Sequence, residues 1–121
     1  MRTRVFVAIL LTALWCAGDL AQSVSYFAFE QITVANSAVG FTSTKVEPDG
    51  SSGSRKATLA ECRLETAEIR WRIDGLAPTT TVGTLLEPGD QLVLAGHDVI
   101  MRFQAIRTGA TSGVLSCNYS Q

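Results

Sequence analysis

At 121 residues, with 46% hydrophobic and 17% charged side chains, the chain has the composition of one globular domain and too little length for a second core. Its formal net charge is -1 and its basic residues are scattered, which excludes an electrostatic grip on phosphate backbones. No nucleic-acid partner is therefore expected.

The chain opens with Arg2 and Arg4 ahead of the uncharged apolar run VFVAILLTALWCAG, residues 5–18, the layout of an export signal. The run is shorter than the roughly 20 residues a bilayer-crossing helix needs, so a cleaved signal is expected in place of a permanent membrane span. This divides the chain into a signal-like segment, residues 1–22, and a domain, residues 23–121. A domain so small buries only about 60% of the surface its unfolded chain exposes, so a covalent staple or an oligomeric partner would help to stabilise it.

From residue 23 onward there is no sustained helical period. Short runs rich in Val, Ile, Thr and aromatics recur between clusters of Gly, Pro, Asp and Ser, a pattern of strands and turns. SYFAFEQITV, residues 25–34, reads as the first strand, with its alternation slipping near Gln31 as at a bulge. AVGFTST, residues 38–44, reads as a second, and EPDGSSGSR, residues 47–55, as a surface loop. KATLAECRLE and AEIRWRID follow as adjoining strands with a turn or bulge at Thr66 and Ala67. In the second of these, period two sends Ile69, Trp71 and Ile73 to the core, and Arg70 and Arg72 to the opposite face.

Asp74-Gly75 and Pro78 carry turn chemistry, and EPGD, residues 87–90, matches a type II turn with Gly89 at positive φ. Its flanks, Leu85-Leu86 and residues 92–94, are expected to be strands. VIMRFQAIRT, residues 99–108, reads as the next strand, entered through a helical turn at residues 96–98. VLSCNYS is the last, with Leu115, Cys117 and Tyr119 on one face. Seven or eight strands in so short a chain predict an all-β fold, a small β-sandwich or jelly roll.

Residues able to carry chemistry are few. His97 is the sole histidine, and Asp98 beside it would point to the opposite face of a strand; a polar turn residue is the simpler reading. Too few His and Cys side chains are present for a structural zinc site. Calcium ligands could come from Glu47, Asp49, Asp90 and Asp98, but no loop carries the oxygen spacing of a dedicated site. Glu61, Glu65 and Glu68 lie on regular strands. NYS, residues 118–120, matches a glycan acceptor, a motif that short sequences meet by chance. The composition thus predicts neither an enzyme nor a cofactor. Cys62 and Cys117 lie in strands, each in phase with a leucine, and two readings stay open: a disulfide formed in an oxidising compartment, or two buried thiols.

Several of these stretches together resemble a type of small protein found among the structural genes of tailed bacteriophages and prophages. They are IRWR (Ile69–Arg72), then Asp74-Gly75, Pro78-Thr79, GTLL at 83–86 and FQAIR at 103–107, preceded by FEQITVANSAVGFTST. The likeness spans about residues 29–120. It implies a virion component, a capsid decoration or accessory protein, and no catalytic residues. Such a protein would bind a capsid or other virion protein and form a homo-oligomer, a trimer matching a capsid symmetry axis. Arg70 and Arg72 would then be its interface residues, contacting carboxylates of the partner. The signal-like segment and the cysteine pair fit a rival class, an exported periplasmic or extracellular β-sandwich that binds a ligand or surface.

Overall fold

The computed structural model describes residues 23–121; the signal-like segment at 1–22 lies outside the described residues. In chain order the elements are β1 (Tyr26–Val34), α1 (Ser43–Val46), β2 (Leu59–Glu65), β3 (Ile69–Arg72), β4 (Thr84–Leu86), β5 (Gln91–Ala95), α2 (His97–Arg102), β6 (Gln104–Arg107) and β7 (Gly113–Ser120). The strands make two antiparallel sheets, a larger one in the order β1-β7-β2-β5 and a smaller one in the order β4-β3-β6. The fold is an all-β sandwich.

Alternation along the strands builds the core. Ile32 and Val34 of β1, Ala60, Cys62 and Leu64 of β2, Leu92 and Leu94 of β5, and Leu115, Cys117 and Tyr119 of β7 are all buried. They meet Ile69, Leu86 and Ala105 of the smaller sheet in one apolar cluster. Each fully buried aliphatic side chain contributes about 1.5–3 kcal/mol relative to exposure. Aromatic rings fill the middle: Phe41 stacks on Phe103 with centroids 4.3 Å apart, and meets Tyr119 edge-on at 5.4 Å.

The chain changes sheets at its tight turns. Thr66, at φ 74, ends β2 and passes the chain from the larger sheet to β3. Gly89, at φ 91, and the bond from the Asp90 amide to the Glu87 carbonyl (3.0 Å) close the EPGD turn between β4 and β5. The Glu87 amide in turn donates to the Asp90 carboxylate at 3.0 Å.

Four details depart from the sequence expectations. The irregularity in β1 lies between Tyr26 and Ala28, not at Gln31. The alternation misleads there because an inward position is filled by a glutamate, Glu30. Residues 38–44 do not form a strand. Val39 makes a single bridge to Ala105, and the chain then enters α1. Gly40 passes so close to the Phe103 carbonyl that a Cβ would stand 2.9 Å from it.

The expected strand at 99–108 divides into α2 and β6. Gly96, at φ 102, turns the chain into the helix, and Ile100 is buried there with Val99 and Phe103 against the core. Apolar residues one and four positions on from residue 99 suit a helical turn as well as a strand. Ile73 is 36% exposed instead of buried, because β3 leaves the ladder after Arg72 and β4 reaches only as far as Thr84 opposite Trp71.

Candidate functional site

The end of the smaller sheet, where β3 and β4 run out of partners, is the most distinctive surface. Beyond the Trp71–Thr84 pair, the chain loops out through Gly75 at φ 85 and returns through Gly83 at φ 134. Trp71, Arg72, Ile73, Asp74, Val82 and Thr84 line a groove of about 400 Å³ there. Of its lining, Ile73 (36%) and Val82 (50%) are exposed apolar side chains, and Leu76 and, in β4, Leu85 also face solvent. The Trp71 ring packs towards Phe103 at 6.2 Å, and its buried Nε1 has no hydrogen-bond acceptor among the described residues.

The two arginines of β3 have different surroundings. Arg70 donates from Nε to the Thr80 carbonyl (3.2 Å) and from an Nη to the Gly83 carbonyl (2.8 Å). It thereby straps the returning loop to the outer face of the sheet. Gly83 must come this close, since a Cβ there would lie 3.1 Å from the Trp71 carbonyl and 3.2 Å from the Arg70 Cβ. Arg72 forms a bidentate pair with Asp74, its Nε 3.0 Å from Oδ1 and an Nη bonded to Oδ2. The hydrogen bonds from Arg72 hold the Asp74 carboxyl below its usual range and raise the guanidinium. The carboxylate that meets Arg72 is thus two residues along its own chain. Arg72 borders the groove; Arg70 is occupied within the fold.

Cys62 and Cys117 face each other in register across β2 and β7 and are joined by a disulfide, with Cα atoms 4.1 Å apart. Both are buried, at 2% and 0% exposure. The bond therefore joins neighbouring strands of one sheet.

The candidate calcium ligands are dispersed into other contacts. Glu47 bonds to His97, Asp49 pairs with Arg55 and Asp90 holds the EPGD turn. Among the described residues no three His, Cys, Asp or Glu side chains gather as metal ligands. Of the strand glutamates, Glu61 accepts from the Tyr26 hydroxyl, Glu65 from Ser116 at 3.2 Å and Glu68 from Thr108 at 2.8 Å. Asn118 is exposed on the outer face of the larger sheet, whereas Ser120 of the same NYS motif is fully buried.

Two features escaped the sequence reading. Glu30 is a buried carboxylate that accepts from the Tyr119 hydroxyl and from the Thr42 amide, the latter at 3.1 Å; the slipped alternation near Gln31 was its only trace. Burial, then the hydrogen bond to Glu30 and its charge, push the Tyr119 hydroxyl far above the usual phenol range. The groove could be assembled only once Trp71, Ile73 and Val82 were placed at one sheet end.

The chain matches no protein-family model, no curated protein and no solved structure. No helix of the described residues is long and apolar enough to cross a membrane.

Proposed function

We propose that the protein acts by binding and assembling with other proteins, as an accessory subunit of a phage virion such as a capsid decoration protein. The observation that carries this reading is the open end of the smaller sheet, where exposed Ile73 and Val82 line a groove bordered by Arg72. Apolar side chains flanked by an arginine are the composition of a protein contact surface. A capsid would supply that partner as a repeated surface, and a symmetric oligomer of this chain, a trimer at a capsid axis, would bind it several times over.

The disulfide supports a second reading, an exported β-sandwich that binds a partner in the periplasm or outside the cell, because such bonds persist in oxidising compartments. Mass spectrometry of purified particles separates the two. Recovery of the protein in particles at a fixed copy ratio is expected; its absence from particles and presence in the periplasm or medium would replace the virion role with the exported one. On particles, Val82→Asp should lower occupancy at least about tenfold by placing a charge in the contact. Arg70→Ala would act only indirectly, by loosening the loop. Unchanged occupancy of Val82→Asp would remove this sheet end from the interface.

A further inference from the structure

We propose that His97 and Glu47 form a proton-dependent latch that holds the Gly/Ser-rich loop against the end of the sandwich and releases it as pH rises. The loop, residues 48–55, lies between two anchor points, Glu47 and Ala57. The ring of His97 touches both. Its Nδ1 is 3.0 Å from the Ala57 carbonyl oxygen, and its Nε2 is 2.7 Å from Glu47 Oε1. Side-chain exposures of 23% for His97 and 13% for Glu47 keep the pair partly shielded from water.

The donor inventory makes this arrangement depend on a proton. A carbonyl oxygen only accepts, so Nδ1 must carry the hydrogen of that contact. A neutral imidazole has no second N–H, so it serves only one of the two acceptors and turns a lone pair towards the other, the Ala57 carbonyl or the Glu47 carboxylate. Both contacts become attractive when one more proton is held between the ring and Glu47, as imidazolium facing carboxylate. Removal of that proton leaves one of the two contacts as a pair of opposed acceptors, at Glu47 or at the Ala57 carbonyl, and that anchor of the loop is released.

The surroundings leave this pair as the hinge of the loop. Gly96 places the ring, since its amide donates to the Thr58 carbonyl at 2.7 Å and α2 begins at the next residue. Glu47 caps α1 through its amide, bonded to the Ser43 carbonyl at 2.7 Å, and the Ala57 amide reaches the Val46 carbonyl at 2.9 Å. Asp49 and Arg55 pair across the neck of the loop, beside its anchor points. The other charged groups nearby are Lys56, with Nζ 4.0 Å from Glu47 Oε1, Lys45 of α1, and Asp98 and Arg102 of α2. Among the described residues the last three form no ion pair with either partner. Lys56 stabilises the ionised carboxylate, but its ammonium offers no substitute for the contact that Nε2 makes.

The sign follows directly. The latched form holds the proton, so the latch is closed on the acid side and opens when that proton is lost as pH rises. Nuclear magnetic resonance of the oxidised full chain reads both halves of the idea. Nitrogen shifts of the His97 ring report its protons, and amide exchange over residues 47–57, corrected for intrinsic rates, reports the loop. At the acid end of a pH series the ring should carry two protons and the Ala57 amide should be protected; at the alkaline end the ring should keep one. Over that interval loop exchange should rise at least about tenfold relative to β2 and β7, the size expected for loss of a charge-assisted hydrogen bond.

Glu47→Gln should abolish the step, because a side-chain amide can donate to a neutral Nε2. A wild-type loop whose corrected exchange shows no step overturns the proposal, as does a ring with one proton at the acid end, or an equal step in Glu47→Gln. The wild-type measurement decides alone if the variant does not fold.

Discussion

Tyr119 has no exposed surface, yet its hydroxyl ends on the Glu30 carboxylate. A carboxylate on the inward side of a strand is tolerated only when donors reach it, and here the hydroxyl and the Thr42 amide do so. Tyr119→Phe leaves Glu30 with one donor fewer and should cost about 1–3 kcal/mol in a denaturant titration. The tyrosine also sets an alkaline limit. Its folded-state hydroxyl titrates far above the ordinary 10.0, so above that value the unfolded chain loses a proton that the folded chain keeps. Stability is then fully present below pH 10.0 and falls as pH rises beyond it. Unfolding followed from neutral to strongly alkaline pH should show this fall, and Tyr119→Phe should flatten it. An equally steep fall in the variant would assign the alkaline limit to other groups.

Among the elements, β2, β5 and β7 were legible because each alternates cleanly and is bounded by turn residues, Gly89 and Gly113 among them. The EPGD turn was legible because its chemistry is local. What could not be read depends on partners far along the chain. Residues 38–44 have strand-like composition but meet only Ala105, and Ile73 keeps the correct phase but finds no strand opposite it. The groove was illegible for the same reason, since its walls come from β3 and from the loop that Arg70 straps down. The cysteines showed their phase but not their pairing, which is set by the β2–β7 register. That ladder is also where the bond should matter. Closing a loop with a sequence separation of 55 contributes about 4 kcal/mol in the chain-entropy account. Oxidised wild type and Cys62→Ala/Cys117→Ala compared by denaturant unfolding should differ by that order. The variant's cost also includes lost core packing, so chemically reduced wild type is the cleaner reference; equal stability of oxidised and reduced protein would show that β2 and β7 hold their register unaided.

For the whole molecule, the placement of Cys62 and Cys117 has a mechanical consequence. The bond joins two directly opposed residues, and the chain between them contains β3, β4, β5, α2 and β6, including every strand of the smaller sheet. Tension applied between residues 23 and 121 passes through β1 and β2 to Cys62, crosses the sulfurs, and leaves through the last residues of β7. The smaller sheet and its groove hang from that line as a closed side loop and carry none of the load. In a single-molecule stretching experiment, reduction should therefore lengthen the fully extended chain by about 190 Å, the reach of the enclosed residues at about 3.5 Å each. An equal extension in both redox states would mean that the load path runs through the smaller sheet. Pulled by its ends, the protein would thus load β1 and the joined parts of β2 and β7 while the groove stays off the line of force.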